Sequence, residues 1–216
     1  MNTVYIYCHG FASSPGSKKA VAFAQRFQEL GKELIVPDLE DGDFRNITLS
    51  RQVEKIRSVI DTFSSSRVGI IGSSMGGYLA SLVAQSRQEV KGLYLMCPGF
   101  HFLKRWKERV GRDHPESEGL PKTIQVYHYR YAREMELSTA LFEDARAWDA
   151  LPLDRALPIR IVHGVHDDTV PVTQSREFAA SRPWVTLKEL DSDHGLLSHM
   201  DWIVNDCLEF FTREGL

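Results

Sequence analysis

A serine held between two glycines is the feature that most constrains the fold of this chain. The motif G-S-S-M-G at 72–76 follows an apolar run at 68–71 and precedes a run of helical character at 78–85. A sharp turn from strand to helix crowds the residues on either side of its tip, and glycine relieves the crowding because it has no Cβ. The motif therefore predicts a strand, a tight turn and a helix, with the Ser74 hydroxyl at the tip.

An ordinary Gly/Ser turn without chemistry is the simpler interpretation of this motif. Within the motif, Ser73 is the weaker candidate for a nucleophile, because it lacks glycines at both flanking positions. A serine at the position of Ser74 would lie above the N-terminus of the following helix, whose unpaired N–H groups attract an anion. The chemical interpretation gains weight if the rest of one mechanism is present elsewhere in the chain.

A serine hydroxyl becomes nucleophilic when a base removes its proton, and the base is usually a histidine oriented by a carboxylate. Two predicted strands downstream of Ser74 end in loops with such residues. The loop within 159–171 carries the adjacent acids Asp167 and Asp168, and the loop within 190–196 carries His194. Catalytic side chains of open α/β sheets lie at the carboxyl ends of strands. The other nearby titratable residues are interpreted as structural: His163, His166, Asp191 and Asp193.

Acyl transfer also needs hydrogen-bond donors for the oxyanion of its tetrahedral intermediate. One donor is expected to be the backbone N–H of Met75, directly after Ser74. The second is expected in the H-G-F stretch at 9–11, which follows the first predicted strand and leads into a Gly/Ser/Pro loop. Phe11 would supply that N–H, and Gly10 would let the backbone approach closely.

Together these motifs resemble the α/β-hydrolase superfamily over nearly the whole chain, and within it the small YqiA-type bacterial serine esterases. The shared stretches are Y-C-H-G-F-x-S-S-P at 7–15, P-D-L at 37–39 and S-D-H at 192–194. The resemblance implies a triad in the chain order Ser74, Asp167, His194. It favours Asp167 over Asp168, because 163–171 reads H-G-x-x-D-x-x-V-P.

Strand-like and helix-like segments alternate along the chain, which predicts an α/β class fold, a parallel sheet covered by helices on both faces. The strands are expected near 3–8, 33–37, 67–71, 92–96, 158–163 and 185–190, and the helices near 18–30, 50–63, 75–85, 172–180 and 199–213. The resemblance implies an α/β-hydrolase fold with a mostly parallel six-stranded sheet in the order 2-1-3-4-5-6. We expect one domain, 1–216.

A small cap insertion is expected at about 99–157, where the alternation is interrupted. The segment is rich in aromatic residues, and its stretch at 125–131 alternates with period two, as in a strand or a hairpin arm. A helix is predicted at 139–151. Two interpretations stay open: a lid in which Trp106, Tyr129 and Trp148 bind the acyl substrate, or aromatic residues that form only the core of the insertion.

Composition limits the partners. The chain of 216 residues carries a net charge of −3 and has no basic run typical of nucleic-acid binding. No segment is long and apolar enough to predict a membrane span. Three cysteines without zinc-ligand spacing indicate buried, reduced thiols and a cytoplasmic location. No cofactor and no metal are predicted, and the oligomeric state stays open.

These observations predict a serine hydrolase of the carboxylesterase type, which cleaves a small acyl ester through an acyl-enzyme intermediate. An acyl thioesterase or depalmitoylase uses the same groups on a different leaving group and is the first alternative. A ligand-binding sensor with slow turnover is the alternative from another class.

Overall fold

The computed structural model describes residues 2–63, 66–113 and 120–216. Strands and helices alternate through most of this chain, as the sequence predicts. The strands are β1 (Thr3–Cys8), β2 (Leu34–Ile35), β3 (Arg67–Ser73), β4 (Val90–Met96), β5 (Thr123–His128), β6 (Arg133–Ser138), β7 (Ile159–Gly164) and β8 (Val185–Leu190). The helices are α1 (Lys18–Glu29), α2 (Leu49–Asp61), α3 (Met75–Ser86), α4 (Phe102–Asp113), α5 (Ala140–Asp149), α6 (Val172–Ala180) and α7 (Met200–Arg213).

In the described chain, six strands form one sheet in the order β2-β1-β3-β4-β7-β8, and all five pairings are parallel. The predicted fold class and strand order are confirmed. Because the strands are parallel, their carboxyl ends meet at one edge of the sheet. That edge receives the loops after β1, β3, β7 and β8, which carry every residue predicted for the chemistry.

Helices cover both faces of this sheet. On one face, α1 and α7 pack their aromatic side chains on β1: the ring of Phe27 lies 4.9 Å from that of Tyr5, and the ring of Phe211 lies 5.3 Å from it. On the other face, α2, α3 and α6 share a second apolar cluster. The helix α3 is buried from Met75 to Ala84, consistent with its place behind the central strand β3.

The segment 99–157 contains α4, the antiparallel hairpin β5–β6 and α5. The arm predicted at 125–131 ends at His128, so Tyr129 and Tyr131 lie in the hairpin turn. The predicted helix corresponds to α5, and the Ser138 hydroxyl accepts a hydrogen bond from the Ala140 N–H at its start. We call residues 99–157 the inserted segment.

The aromatic residues of the inserted segment do not form a separate core. Trp106 packs edge-on against Phe11 at 5.0 Å and tilted against Phe142 at 5.8 Å. Both contacts belong to the apolar cluster that also contains residues of α2 and α3. The inserted segment is therefore packed onto the carboxyl edge of the sheet by the core itself. None of the helices in the described ranges has the length and hydropathy needed to cross a bilayer.

Candidate active site

The turn that carries Ser74 has the backbone geometry that its glycines predict. Ser74 adopts φ +54° and ψ −120°, a strained conformation for a residue with a side chain. A Cβ on Gly72 would lie 2.6 Å from the Cα of Gly77, and a Cβ on Gly76 would overlap the carbonyl of Cys8. Both glycines are therefore sterically required, one to close the turn and the other to bring α3 against the end of β1.

A continuous hydrogen-bond chain connects Ser74, His194 and Asp167. Ser74 Oγ lies 3.0 Å from His194 Nε2, and His194 Nδ1 lies 2.7 Å from Asp167 Oδ2. A carboxylate oxygen only accepts, so Nδ1 carries the ring proton and Nε2 is left to accept the proton of the serine. The three side chains come from the ends of β3, β7 and β8, as predicted from the sequence.

The carboxylate of Asp167 is fully buried and saturated with donors. Its Oδ1 accepts the N–H groups of Val170 at 2.7 Å and Thr169 at 2.9 Å. Burial acts to raise the pKa of Asp167, but the hydrogen bonds from His163 and His194 outweigh burial and hold the pKa well below its ordinary value. Asp167 is therefore ionised at any pH near neutrality. Its neighbour Asp168 is exposed to solvent, and in the described chain no hydrogen bond or ion pair joins it to His194.

A second histidine supports this carboxylate, and its role was missed in the sequence. His163 is buried, and its Nε2 lies 2.8 Å from the carbonyl of Val170 and 3.1 Å from Asp167 Oδ2. Both neighbours are acceptors, so Nε2 carries the proton, and Nδ1 accepts the hydroxyl of Ser175 at 2.8 Å. The only sequence signal for this role was a histidine at the end of a strand, four positions before Asp167.

Cys97 joins this buried group: among the described residues, Cys97, His163 and Asp167 place potential metal-ligand atoms within 4.8 Å of one another. Metals bind the thiolate rather than the thiol. Burial raises the pKa of the Cys97 thiol. The histidine and the carboxylate of this group are already engaged with each other and with His194, which fits a role in supporting Asp167.

The loop that carries His194 is tied to the opposite end of the chain. The ammonium group of Lys19 in α1 donates to the carbonyl of Gly195 at 3.0 Å and lies 3.5 Å from that of His194. Burial is the main influence on the pKa of Lys19 and lowers it. This contact spans more than 170 residues of sequence, so no local pattern could have predicted it.

Two backbone N–H groups close to Ser74, those of Met75 and Phe11, are the predicted donors to an oxyanion. Met75 is the first residue of α3, so its N–H has no acceptor within the helix. Phe11 follows β1, and a Cβ on Gly10 would lie 3.4 Å from the Cβ of Ser74, which shows how closely this loop approaches the nucleophile. In the described chain, no hydrogen bond to another protein group occupies either N–H.

His9 fixes the loop that carries Phe11. Its Nε2 accepts the N–H of Leu39 at 3.1 Å, and its Nδ1 donates to the carbonyl of Gly10 at 2.9 Å. Burial is the largest influence on its pKa and lowers it, which keeps the ring neutral and this tautomer in place. The P-D-L stretch at 37–39 is thus joined through His9 to the loop that carries Phe11.

A cavity of about 600 Å³ opens beside Ser74 and His194. Trp106 and Tyr129, two of the three predicted substrate contacts, line it. Trp148 does not: its indole N–H donates to the Ser50 hydroxyl at 2.8 Å, on the side of α5 that faces α2. Sequence reasoning missed several lining side chains, which come from four separate segments: Lys19, Arg105, Val126 and Thr169.

The parallel sheet, the strained serine turn and the chain order Ser74, Asp167, His194 are typical of an α/β-hydrolase fold, and the solved structures that match this chain share that fold. The chain belongs to the uncharacterised protein family UPF0227, whose family model matches residues 4–212. This is the family of the YqiA-type proteins, so the resemblance noted in the sequence is confirmed.

The chain is also similar to curated proteins, at about one quarter sequence identity. The chain is 26% identical over 191 residues to the mitochondrial palmitoyl-protein thioesterase ABHD10 of Pongo abelii, covering 81% of this chain and 60% of that protein. The human protein of the same name is 25% identical over 191 residues, with the same two coverages. The chain thus spans about 60% of the length of these relatives.

Solved structures share the fold at low identity. Mouse α/β-hydrolase domain-containing protein 10 superposes with a TM-score of 0.83 at 19% identity, covering 97% of this chain and 89% of that chain. Est1E of Butyrivibrio proteoclasticus with bound ferulic acid superposes with a TM-score of 0.80 at 19% identity, covering 99% and 89%.

Proposed function

We propose that this protein is a serine hydrolase that cleaves carboxylic acyl esters through a Ser74-His194-Asp167 triad and an acyl-enzyme intermediate. The hydrogen-bond chain from Ser74 Oγ through His194 to Asp167 is the observation that carries the proposal. The direction of these hydrogen bonds suits transfer of the serine proton to the histidine, since the serine is the terminal donor and the ionised carboxylate is the terminal acceptor.

In the proposed reaction, His194 Nε2 accepts the hydroxyl proton as Ser74 Oγ attacks the acyl carbonyl carbon. The carbonyl oxygen becomes an oxyanion and accepts the N–H groups of Phe11 and Met75. His194 then gives its proton to the leaving alcohol, and the bond to the leaving oxygen breaks to form the acyl-enzyme. A water molecule, deprotonated by His194, attacks the acyl-enzyme, and the proton returns to Ser74 as the acid leaves.

Asp167 serves this cycle by stabilising the imidazolium and fixing the tautomer of His194. The contacts of His163 and two backbone N–H groups keep Asp167 ionised and immobile during the cycle. Trp106 and Tyr129 would contact the acyl portion in the cavity. We do not assign Trp148 to the substrate, because its side chain is engaged with Ser50 outside the cavity.

Thioester cleavage is the second candidate function. It is favoured by the similarity to a palmitoyl-protein thioesterase, and it uses the same residues with a thiol as leaving group. A cytoplasmic location stays our proposal and rests on three cysteines that are buried and unpaired.

Steady-state kinetics with matched substrates test the function. A pair such as 4-nitrophenyl hexanoate and the corresponding thioester should give kcat/KM values that rank the two activities. Asp167→Asn should lower kcat roughly 10⁴-fold for both, because the amide favours the wrong tautomer of His194. Asp168→Asn is the matched control and should change kcat by only a few fold. A larger effect at Asp168, or a purified protein that binds the esters with slow or no turnover, would contradict the proposal.

A further inference from the structure

The cavity beside Ser74 is lined by two cations, Lys19 and Arg105. Two carboxylates, Glu108 and Asp168, also line it, but both side chains are exposed to water. Over residues 2–63, 66–113 and 120–216, no ion pair joins either cation to a carboxylate. The half-buried part of the cavity is therefore positively charged.

Arg105 is linked to the backbone of Ser74 through Gly99. Its Nη2 donates to the carbonyl of Gly99 at 3.0 Å, and the N–H of Gly99 donates to the carbonyl of Ser74 at 2.9 Å. Its Nε donates to the carbonyl of Phe100 at 3.1 Å, and its Nη1 lies 3.5 Å from that of Thr169. The guanidinium is thus held rigidly between the loops that follow β4 and β7.

These carbonyls orient the guanidinium without neutralising it. A guanidinium has five N–H donors, and the three carbonyl contacts leave one N–H on each Nη atom. Burial is the largest influence on the pKa of Arg105 and lowers it, although Asp167 and Asp149 act in the opposite direction. Asp167 is already saturated by His163, His194 and two backbone N–H groups. Arg105 lines the cavity and keeps one unused N–H on each Nη atom for a group that binds there.

We propose that Arg105 recognises an ionised acid group of the substrate, so that the preferred ester or thioester carries a carboxylate near its scissile bond. The inference rests on the proposed serine hydrolase function and narrows its substrate class. A rigid guanidinium with one unused N–H on each Nη atom matches the charge of a carboxylate and has a donor for each of its two oxygens. A neutral acyl group of the same length would bind in the cavity but would leave the charge of Arg105 uncompensated.

Lys19 is less suited to this role. Its ammonium group is directed at the carbonyls of Gly195 and His194, so its position serves the loop of the catalytic histidine. A purely structural role for Arg105, as a clamp between two loops, is the alternative that an experiment must separate. Loss of a clamp would slow the turnover of every substrate alike.

The test compares Arg105→Gln with the unmodified protein on 4-nitrophenyl hexanoate and on the mono-4-nitrophenyl ester of hexanedioic acid. These esters share a leaving group and chain length, and only the second carries a carboxylate. Arg105→Gln should reduce kcat/KM for the anionic ester roughly ten- to a hundredfold more than for the neutral ester. Arg146→Gln removes the same charge from an exposed position of α5 and should leave both values unchanged.

A second pair places the carboxylate on the leaving group: phenyl hexanoate and 4-carboxyphenyl hexanoate. Intrinsic reactivity cancels when each ester is compared between the two proteins. Selective loss with either pair supports the inference and shows on which side of the scissile bond the anion lies. Equal losses for charged and neutral esters in both pairs would overturn it.

Arg105→Lys provides a second test in case Arg105→Gln does not fold. It keeps the charge but loses the forked donors, so it should still show a selective, several-fold loss for the anionic ester, and an unselective loss would count against the inference. The proposed function itself is judged separately, by whether the unmodified protein cleaves the neutral esters and is labelled at Ser74. An active, labelled enzyme without charge selectivity would refute only the role of Arg105.

Discussion

Nε2 of His163 lies 3.1 Å from Oδ2 of Asp167, the same carboxylate oxygen that faces the ring of His194 at 2.7 Å. Two imidazoles therefore share one oxygen of the triad acid, one on the reactive side and one in the core. The inner imidazole is buried and hydrogen-bonded at both nitrogens. We infer that His163 holds the carboxylate in the orientation that His194 requires.

His163→Phe should destabilise the protein by about 2–3 kcal/mol near neutral pH, because it leaves buried acceptors without a donor. His163 also lowers the pKa of Asp167, and a group with a lowered pKa stabilises the fold above its unfolded pKa and loses that contribution on acidification. The difference in free energy of unfolding between His163→Phe and the unmodified protein should therefore narrow as the pH falls below the ordinary pKa of aspartate. Urea denaturation from pH 7 down to pH 2 measures it, because the titration range must extend below the ordinary pKa of aspartate.

Ser175→Ala is the control for that variant, because it removes only the hydroxyl on Nδ1 and leaves Nε2 facing Asp167. It should cost about 1 kcal/mol. A His163→Phe protein as stable as the control at neutral pH would show that the contact with Asp167 contributes nothing.

Gly76→Ala should destabilise the protein by roughly 3 kcal/mol or more, or prevent folding, because the added methyl group would overlap the backbone of Cys8 and His9. The clash is with backbone atoms of β1, which cannot move aside without disturbing the sheet. Gly16→Ala is the matched control, since its methyl group would meet only Ser14 Oγ at 3.7 Å. Melting temperatures that fall equally in both variants would refute this steric account of the turn.

The buried contact between Glu40 and His128 predicts a pH dependence of stability. His128 Nδ1 accepts the N–H of Arg130, so its Nε2 donates to Glu40 Oε2 at 2.9 Å. Burial raises the pKa of Glu40 to about 7 and lowers that of His128. The ring is therefore neutral near pH 7, and the carboxyl group titrates there.

Because its pKa is raised on folding, Glu40 stabilises the fold fully below the unfolded pKa, and this contribution is lost as the pH rises toward 7. Glu40→Gln keeps an acceptor for His128 but cannot ionise. Between pH 5 and pH 8, the free energy of unfolding of Glu40→Gln should rise by on the order of 2 kcal/mol relative to that of the unmodified protein. Denaturation curves at both pH values measure this gain, and Glu143→Gln, at an exposed position, should show none. If the free energy of unfolding changed equally with pH in Glu40→Gln and in the unmodified protein, the raised pKa of Glu40 would be contradicted.

Variants of Trp148 and Tyr129 distinguish a role in packing from a role in substrate binding. Trp148→Ala should lower stability by roughly 3 kcal/mol, because it removes a large, partly buried ring and its bond to Ser50, while leaving acyl-chain preference unchanged. Tyr129 is 74% exposed, so Tyr129→Ala should preserve stability. It should lower kcat/KM for long-chain esters more than for acetate esters, because Tyr129 lines the cavity. Melting temperatures and kcat/KM across acyl lengths test both variants. A changed chain-length profile for Trp148→Ala would place that ring in the substrate path.

The sequence was most informative where a function depends on neighbouring residues. The glycines around Ser74 reveal the turn, because crowding acts between residues a few positions apart. Strand β2 was predicted at 33–37 but is formed only by Leu34 and Ile35, which pair with Tyr5 and Ile6. Pro37, which lacks an N–H, cannot extend this ladder.

Contacts that depend on tertiary packing could not be predicted. The side chains of Lys19 and Arg105 reach the cavity from α1 and α4, and an amphipathic pattern does not show which polar side chain of a helix lies beside a distant loop. Trp148 was assigned to the substrate because of its aromatic type, but the face of α5 on which it lies is set by packing against α2. His163 showed no pattern that separates a ring in the core from one that supports a catalytic acid.

Covalent labelling with a fluorophosphonate probe tests the central claim most directly, because the probe reacts only with a serine that is activated by its base. The unmodified protein should be labelled at Ser74, which mass spectrometry of the labelled peptide would locate. Ser74→Ala should abolish both labelling and ester turnover while keeping the fold, and Ser73→Ala should retain labelling. Undiminished labelling of the Ser74→Ala protein, or no labelling of the folded unmodified protein, would contradict the account.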